Sequence, residues 1–505
     1  MIENQETINL RHQFAINNAC AVEDALSASV SGNPLRQVYH VMPKVNWMND
    51  PCGMVYFHNA YHLFYQYDPY HITPRGMYFG HVRSTDLAHW EYLPIALAPS
   101  EPNEMYPYDR QGKNFGIFTG SAAVDGDRLV MAYCGSSYDE EDELKQTICL
   151  AFSTDGVHFE KYPGNPVIAM QPEDGSRDFR DPKLWKHDGR WYMLMGSSKD
   201  GLGEVLLYTS ENLTDWTYVG ISARSDGRFG RMWECPDFFE LDGRDVLMFS
   251  PIGMKGVDTC YMTGHMDYQT GKFAMETWGK IDLGYEFYAP QTLLAPDGRR
   301  IMMGWCNMWH HDGRSTFTTY GPTAQMGWCG GMSLPREMHL DAQGRLLLTP
   351  AAESALLRLS PSCVYRYDLS GAAQEIPFRF SKAAEFVLDL DAVAMNAGRA
   401  GIRVRGNAEA DRYTEIGFDA ESGTLYIDRT HSDGIYNDFQ RFTVEKKEHI
   451  RLRLYTDSTS IELYADEGRV CASDNIYPDP EWTRVSLFAA NTAAHMTLEA
   501  WNLKG

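Results

Sequence analysis

The fold is decided by a short phrase that recurs five times: NDPCGMVYF (49–57), FTGSAAV (118–124), RDPKLWK (180–186), ECPDFFEL (234–241) and APQTLLA (289–295). A tight polar turn follows each phrase, such as HDG at 187–189 or PDG at 296–298. An aromatic-rich run comes next in each unit: YHLFYQY (61–67), LVMAYCG (129–135), WYMLMGS (191–197), DVLMFSP (245–251) and IMMGWCN (301–307). This constant order of start, turn and strand indicates one structural unit used five times.

The spacing of the units predicts a five-bladed β-propeller, an all-β fold. Successive starts lie about 55 to 70 residues apart, which is enough for a four-stranded antiparallel blade with its loops. Alternating aromatic and β-branched residues between Asp-Gly turns favour strands over helices. The alternative is a β-sandwich that contains several similar hairpins.

The remainder of the chain predicts three further parts around a propeller at 37–343. The segment LLLTPAAESALLRLS (346–360) indicates a strand followed by a short linker helix, assigned to 344–358. Alternating runs such as HIRLRLYTD (449–457) then predict a β-sandwich over 359–505. Ahead of the propeller, AINNACAVEDALSASVSG (15–32) has helical spacing and ends in glycine, so we expect one helix within a leader at 1–36.

The charge and the cysteines restrict the partners and the compartment. The chain carries 45 basic and 68 acidic side chains, a formal charge of −23, which repels phosphate backbones and anionic lipid surfaces. We therefore expect no nucleic acid and no membrane partner, although this charge also serves solubility alone. The first fourteen residues lack a secretory pattern, and the ten cysteines contain no CxxC pair. Both features predict a cytoplasmic protein with buried thiols.

Three of the five unit starts carry an acid at or next to the first position: Asp50, Asp181 and Glu234. The innermost strands of a propeller surround its axis, so residues at equivalent places in different blades converge there. A lone Asp before Pro is more often a turn former. Three acids at matching places instead predict one acidic centre.

Converging carboxylates suit glycosidic cleavage, in which one attacks the anomeric carbon and another, kept protonated, donates to the leaving oxygen. Glu234 is our candidate acid, because its neighbours Trp233 and Cys235 would desolvate it. Asp50 begins a rigid strand suited to a nucleophile. Asp181 follows Arg180, which we expect to keep it ionised, so its role would be to bind sugar hydroxyls.

These segments resemble glycoside hydrolase family 32, which contains invertases, sucrose-6-phosphate hydrolases, fructan hydrolases and fructosyltransferases. The resemblance runs from about Tyr39 to the C-terminus. Its strongest motifs are WMNDPCG (47–53), YQYDP (65–69), FGHVRSTDLAHW (79–90), FTGS (118–121), FRDP (179–182), WECPD (233–237), YAPQT (288–292) and MSLPRE (332–337).

The resemblance implies a five-bladed propeller followed by a β-sandwich, and cleavage of a β-fructofuranosidic bond with retention through a fructosyl-enzyme intermediate. Asp50 would be the nucleophile, Glu234 the acid/base and Asp181 the transition-state stabiliser. The family's fructosyl pocket would be lined by the following matching residues: Asn49, Gln66, Phe118, Thr119, Arg180 and Trp305. For Trp305 we favour the alternative, strand packing or turn chemistry, over contact with the sugar.

Several positions depart from the family's usual residues. Cys52 and Asp68 stand where Asn is usual, and Phe79 where Trp is usual. The pocket tryptophan is missing from YHITPRGMYFGH (70–81), and Arg75 lies near its place. The hypothesis that follows is a pocket for a phosphorylated or unusually linked fructoside; the alternative is that Arg75 points into solvent.

Other functions stay open at this point. A fructosyltransferase, including one that forms or cleaves a difructose anhydride, would use the same chemistry, and a fructan-binding protein without catalysis would keep the fold alone. WMNDPCG and WECPD together disfavour a glycosidase acting on arabinose polymers. The acids could bind calcium, but their setting suits a sugar better, so we expect no cofactor and no metal. The expected partner is a small fructoside or short fructan, and homo-oligomer formation is left open.

Overall fold

The computed structural model describes residues 5–106, 113–309, 320–359, 361–379, 381–393, 395, 397–445 and 448–505. The chain begins with helix α1 (Gln5–Val30), which starts well before the predicted residue 15. Leu10 and Phe14 are both 67% exposed, so apolar residues of the first turns lie off the buried face, and their spacing does not mark an amphipathic helix. The helix docks on the propeller, where the backbone N–H of Ala98 donates to Nε2 of His12 over 3.1 Å. Within the described residues, no helix is both long and apolar enough to span a membrane.

The middle of the chain forms five antiparallel blades of four strands each. Blades one and two contain β1 (Asn46–Phe57), β2 (Ala60–Asp68), β3 (Gly76–Ser84), β4 (Glu91–Tyr92), β5 (Phe115–Asp125), β6 (Arg128–Tyr138), β7 (Leu144–Ser153) and β8 (Glu160–Lys161). Blades three and four contain β9 (Phe179–His187), β10 (Arg190–Lys199), β11 (Leu202–Ser210), β12 (Thr217–Arg224), β13 (Met232–Leu241), β14 (Arg244–Ile252), β15 (Cys260–Asp267) and β16 (Lys272–Lys280). Blade five contains β17 (Tyr288–Leu294), β18 (Arg300–Trp305), β20 (Arg336–Leu340) and β21 (Leu346–Pro350).

The blades close into a ring around an axis lined by their first strands. β1 contacts β5 and β17, β9 contacts β5 and β13, and β13 also contacts β17. A two-residue strand from blade five, β19 (Trp328–Cys329), pairs in parallel with the start of β1. Apolar side chains fill the space between adjacent blades; Phe64 and Met131, for example, pack between blades one and two. The predicted five-bladed propeller is therefore confirmed, and the alternative of similar hairpins in a sandwich is wrong.

The linker segment differs in detail from the sequence prediction. The outer strand of blade five, β21, lies in the segment that the prediction assigned to the linker at 344–358. Its pairing with β20 places it in the propeller. The short helix that follows, Ala352–Leu357, is a 3-10 helix.

The C-terminal part is the predicted β-sandwich. Its strands are β22 (Cys363–Glu375), β23 (Ala384–Asp391), β24 (Arg399–Gly406), β25 (Thr414–Asp419), β26 (Thr424–Asp428), β27 (Phe439–Thr443), β28 (His449–Thr456), β29 (Ser460–Ala465), β30 (Val470–Asn475) and β31 (Arg484–Asn502). The first half of β31 pairs with β24 and its second half with β23, while β22 follows it along both halves. The long strand β31 thus joins the two faces.

Buried charges connect the sandwich to the propeller. Arg336 of β20 donates to Asp282 over 2.7 Å and to Glu462 of β29 over 2.8 Å. His40, ahead of β1, lies 2.9 Å from both Asp457 and Glu462. All five groups are nearly inaccessible to solvent, so each charge depends on its partners across the interface.

Candidate active site

Each inner strand carries a β-bulge at the same point of the repeat. The register with the neighbouring strand shifts around Pro51 in β1, between Phe118 and Gly120 in β5, opposite Asp181 in β9, after Glu234 in β13 and after Tyr288 in β17. Consecutive side chains of a regular strand point to opposite faces, and a bulge changes that direction. As a result, consecutive pairs such as Arg180 and Asp181 line one central cavity.

The bulges arrange the site residues in two rings around the axis, one residue apart in the repeat. The first ring is Asn49, Phe118, Arg180, Glu234 and Tyr288, and the second ring is Asp50, Thr119, Asp181, Cys235 and Ala289. Asp181, Cys235 and Ala289 adopt left-handed backbone angles, with φ of 60°, 48° and 50°. Asp50 and Asp181 are therefore equivalent, but Glu234 stands one residue earlier. Our assignment of all three acids to matching places needs this correction.

Cys235 holds the two aspartates of the second ring together. Its thiol sulfur lies 3.5 Å from Oδ2 of Asp50 and 3.6 Å from Oδ2 of Asp181. Its backbone N–H donates to the same oxygen of Asp181 over 2.9 Å. Oδ1 of Asp50 is buried and has no hydrogen-bond partner among the described residues, although Asp50 lines the cavity. Asp50 thus keeps one carboxylate oxygen that no described residue engages.

The two aspartates resist ionisation. Burial, followed by the negative charges of Glu234 and Asp181, raises the pKa of Asp50 to about 7. Burial also raises the pKa of Asp181 to about 6, although the Arg180 guanidinium acts in the opposite direction. A negative charge here is costly, so a cation between the carboxylates would be stabilised.

Two donors hold Glu234 in the first ring. Nη2 of Arg180 donates to Oε1 over 2.7 Å, and the hydroxyl of Tyr288 donates to Oε2 over 2.5 Å. Nη1 of Arg180 is fixed in turn by Asp178, over 2.7 Å. Glu234 thus lies between the guanidinium of Arg180 and the phenol of Tyr288.

The environments expected for Asp181 and Glu234 need correction. The guanidinium of Arg180 faces Glu234 and lies 3.9 Å from Asp181, and the pKa of Asp181 is raised, not lowered. Trp233 does not desolvate Glu234, because its ring stacks on Phe249 at 3.9 Å in the core between blades. Consecutive side chains of β13 alternate between its two faces, so Trp233 points into the core between blades while Glu234 points to the cavity.

The cavity at the axis has a volume of about 400 Å³. It is lined by all three acids and by five of the predicted pocket residues: Asn49, Gln66, Phe118, Thr119 and Arg180. Asn49 accepts a hydrogen bond from the Trp47 indole over 2.6 Å, and Gln66 donates to the carbonyl of Ile117 over 2.7 Å. These bonds fix both amide side chains at the wall.

Comparison with known proteins assigns the family. The model of the N-terminal domain of glycosyl hydrolases family 32 matches residues 40–350, and the model of that family's C-terminal domain matches residues 356–502. The chain belongs to glycosyl hydrolase family 32. The resemblance found in the sequence is thereby confirmed.

Family 32 relatives match over nearly the whole chain. A sucrose-6-phosphate hydrolase of Zymomonas mobilis subsp. mobilis is 34% identical over 492 residues, which cover 92% of both proteins. A raffinose invertase of Escherichia coli is 33% identical and covers 92% of this chain and 94% of its own. The structure of a β-fructofuranosidase from Bombyx mori, 33% identical, superposes with a TM-score of 0.83 over 97% of this chain and 98% of its own. A mutant of the Bombyx enzyme has been solved in complex with sucrose.

Trp305, the sixth residue matched to the family 32 pocket, lies behind the cavity. Its ring is fully buried and packs against Trp47 at 5.7 Å and Trp309 at 5.2 Å. Trp309, which the sequence analysis missed, lines the cavity instead. Blade five therefore presents Trp309 to the cavity, four residues after the predicted Trp305.

The positions that depart from the family 32 pattern also lie outside the described cavity lining. Cys52 and Phe79 are fully buried in the core between blades one and two. Arg75 is exposed, while its neighbour Pro74 lines the cavity. The structure therefore favours the solvent alternative for Arg75 and offers no support for a phosphate contact from this residue.

Sequence reasoning also missed several polar contributors to the family 32 site. Cys235 and Tyr288 belong to the repeat at the places of Asp50 and Asn49, so aligning the five starts residue by residue would have found them. Gln146 and Asp178 line the cavity from outside the repeated phrase. No signal in the repeat pointed to them. Within the described residues, no cluster of three or more potential metal ligands is present.

Proposed function

We propose that the chain cleaves the β-fructofuranosidic bond of a small fructoside and retains the anomeric configuration. One observation carries the proposal: Asp50, Asp181 and Glu234 line the same cavity, and Oδ1 of Asp50 has no hydrogen-bond partner among the described residues. In this assignment Asp50 is the nucleophile, Glu234 the acid/base and Asp181 the transition-state stabiliser.

Asp50 would attack the anomeric carbon through its unpartnered oxygen. The bond between that carbon and the leaving oxygen breaks, Glu234 donates its proton to the leaving oxygen, and an ester forms at Asp50. In the second half, Glu234 takes a proton from water as the water attacks the same carbon. The ester then breaks and the Asp50 carboxylate is restored.

The electrostatics suit a reaction that passes through a positive charge. Burial and the negative charge of Glu234 raise the pKa values of both Asp50 and Asp181, so an oxocarbenium-like sugar between them would offset the cost of their ionisation. The thiol of Cys235 and its N–H hold Asp181 beside Asp50. Hydrogen bonds from sugar hydroxyls to Asp181 would strengthen as this charge develops.

Glu234 is suited to exchange protons with both the leaving group and water. Its side chain retains 19% exposure, against 4% for Asp181. Arg180 and Tyr288 each hold one of its oxygens, which limits its rotation near the cavity. General acid/base catalysis needs a carboxyl group that is held in place and is accessible to water, and Glu234 meets both conditions.

Sucrose, sucrose 6-phosphate and short fructooligosaccharides are the proposed substrates. The names of the relatives support this class, since they include sucrose-6-phosphate hydrolases and a raffinose invertase. Transfer of the fructosyl unit to another sugar differs only in the acceptor that replaces water. We also propose a cytoplasmic location, supported by ten free cysteines of which eight are buried.

The test is product analysis of the purified protein. The panel comprises sucrose, sucrose 6-phosphate, 1-kestose, inulin and levan oligomers, and difructose anhydrides, with free fructose and longer oligomers measured separately. We expect the wild type to release free fructose. Asp50→Asn should release it at least a thousandfold more slowly. Asp188→Asn, in an exposed turn of blade three, should release it at the wild-type rate. Binding without turnover by the wild type contradicts the proposal, and oligomer growth without free fructose would identify a transferase.

A further inference from the structure

Asp68, the last residue of β2, accepts four backbone hydrogen bonds while fully buried. Its Oδ1 accepts from the N–H groups of Tyr70 and His71, over 3.0 and 3.1 Å. Its Oδ2 accepts from those of Arg75 and Gly76, over 3.0 and 3.2 Å. The ring atom Nδ1 of His71 lies 3.2 Å from both oxygens. One carboxylate therefore fixes both ends of residues 69–76, here called the wall loop.

The wall loop forms one side of the cavity. Pro74 within it and Met77 directly after it both line the cavity. Gly76 and Met77 pair in parallel with the first residues of β5, and the N–H of Phe115 donates to the carbonyl of Arg75 over 2.8 Å. The same strand β5 carries Phe118 and Thr119 on the neighbouring wall. A shift of the loop would therefore move two walls of the cavity.

We propose that Asp68 is a positioning residue for substrate: it holds the wall loop in place, so that Pro74 and Met77 form a fixed wall against the sugar. This inference rests on the proposed function. Among the described residues, Asp68 makes no hydrogen bond to Asp50, Asp181 or Glu234, and it acts through the backbone of the wall loop. Its loss should therefore weaken substrate binding more than the chemical step.

The chemistry of the side chain distinguishes Asp68 from the asparagine that is usual at this position in family 32. An ionised carboxylate has two acceptor oxygens and no donor, so it can serve two amides with each oxygen. The amide of an asparagine keeps one acceptor and presents an NH₂ group at the other position. Asp68→Asn can retain the turn at Tyr70 and His71, but its NH₂ would then face the N–H donors of Arg75 and Gly76.

The chain contains a matched control for this substitution. Asp86 accepts from the N–H groups of Ala88 and His89 over 3.0 and 2.8 Å, and Nδ1 of His89 lies 2.8 Å from it. This is the same Asp-x-x-His turn as in the wall loop, but it lies in an outer turn of blade one. Asp86→Asn therefore alters the same Asp-x-x-His turn away from the cavity, where the second oxygen accepts no backbone N–H bond among the described contacts.

The experiment combines hydrogen exchange with steady-state kinetics on wild type, Asp68→Asn and Asp86→Asn. We expect the peptide covering 69–77 to exchange faster in Asp68→Asn only. With the best fructoside from the product assay, we expect KM to rise about tenfold in this variant while kcat changes less than about threefold. Asp86→Asn should leave both constants within about twofold of wild type.

The outcomes separate this inference from the proposed function. A wild type that turns over no fructoside contradicts the proposed function, and exchange of the 69–77 peptide still reports whether Asp68 orders the loop. An active wild type whose exchange and KM are unchanged by Asp68→Asn overturns the inference, as does an equal KM change in Asp86→Asn.

A second pair of variants covers the case in which Asp68→Asn does not fold. Arg75→Pro removes one of the four N–H donors, and Arg75→Ala keeps that donor while it removes the guanidinium. We expect a raised KM in the proline variant alone. Equal KM values in the two Arg75 variants overturn the inference.

Discussion

Nη2 of Arg180 donates to Oε1 of Glu234 over 2.7 Å, across the boundary between blades three and four. The bond exists because the two residues occupy the same place in successive repeats, so the propeller makes them neighbours although 54 residues separate them. The chain neighbour of Arg180, Asp181, is left 3.9 Å away. Position in the repeat thus decides the contacts of the site more than adjacency in sequence.

Arg180→Lys tests this ion pair. Nε and Nη2 of Arg180 lie 3.3 and 2.7 Å from the same oxygen of Glu234, and Nη1 contacts Asp178. A lysine keeps the charge but loses this fork. We expect kcat/KM to fall about a hundredfold, a loss of ~2.7 kcal/mol of transition-state stabilisation. Arg177→Lys is the matched control, since Arg177 pairs with Asp139 on the surface, and it should stay near the wild-type value. Equal losses in the two variants would refute a special role for Arg180.

Tyr288→Phe tests the second donor to Glu234. The substitution removes the hydroxyl that lies 2.5 Å from Oε2 and keeps the ring in its buried site. We expect kcat to fall about tenfold or more, with a small change in melting temperature, because one hydrogen bond to the acid/base is lost. Steady-state kinetics and thermal unfolding measured on the same sample check this. An unchanged kcat would show that the phenol does not assist Glu234.

Asp50→Asn should stabilise the protein above neutral pH. Burial and nearby carboxylates raise the pKa of Asp50 to about 7, against a reference of 3.8. The unfolded chain releases this proton at lower pH than the folded protein does. The free energy of unfolding therefore falls as pH rises from about 4 to 7, and the full destabilisation is present above pH 7. At about 1.36 kcal/mol per pKa unit, Asp50→Asn should raise the free energy of unfolding above pH 7 by a few kcal/mol.

Thermal unfolding of wild type and Asp50→Asn at pH 4, 6 and 8 checks this prediction. The melting temperatures should be similar at pH 4 and should diverge in favour of the variant by pH 8. Asp188→Asn, in an exposed turn, should follow the wild type at every pH. A variant less stable than wild type at pH 8 would contradict the raised pKa.

His40→Gln tests the contact between propeller and sandwich. Burial lowers the pKa of His40, but its hydrogen bonds and charges with Asp457 and Glu462 outweigh this and raise it to about 9. Glu462 is also held by Arg336, which pairs with Asp282. The stabilisation from protonated His40 is therefore complete below about 6.5 and is lost as pH rises to about 9.

We expect the wild type to lose melting temperature between pH 6.5 and 9, and His40→Gln to be less stable at pH 6.5 but flatter across this window. His89→Gln, at a surface turn, serves as the control. If wild type and His40→Gln lose melting temperature in parallel between pH 6.5 and 9, His40 is not the source of the pH dependence.

The sequence was informative wherever one local pattern repeats. Five similar starts predicted five blades, and the convergence of inner strands predicted that Asp50, Asp181 and Glu234 share one cavity. The equivalence of Glu234 to Arg180 instead of Asp181 depends on bulges, which shift register by one residue and leave no separate mark in composition. Trp309 was missed because it follows a strand end, where loop geometry decides which ring reaches the cavity. Trp305, inside the strand, is held in the core by alternation.

The most direct test of the central claim is to trap the proposed intermediate. Glu234→Ala is incubated with p-nitrophenyl β-fructofuranoside, whose leaving group needs no proton, and the protein is digested and mapped by mass spectrometry. We expect one fructosyl unit esterified to the peptide that contains Asp50, because no base remains to activate water. Rapid release of p-nitrophenol without any adduct on that peptide, or an adduct on Asp181 instead, would contradict the assignment of Asp50 as the nucleophile.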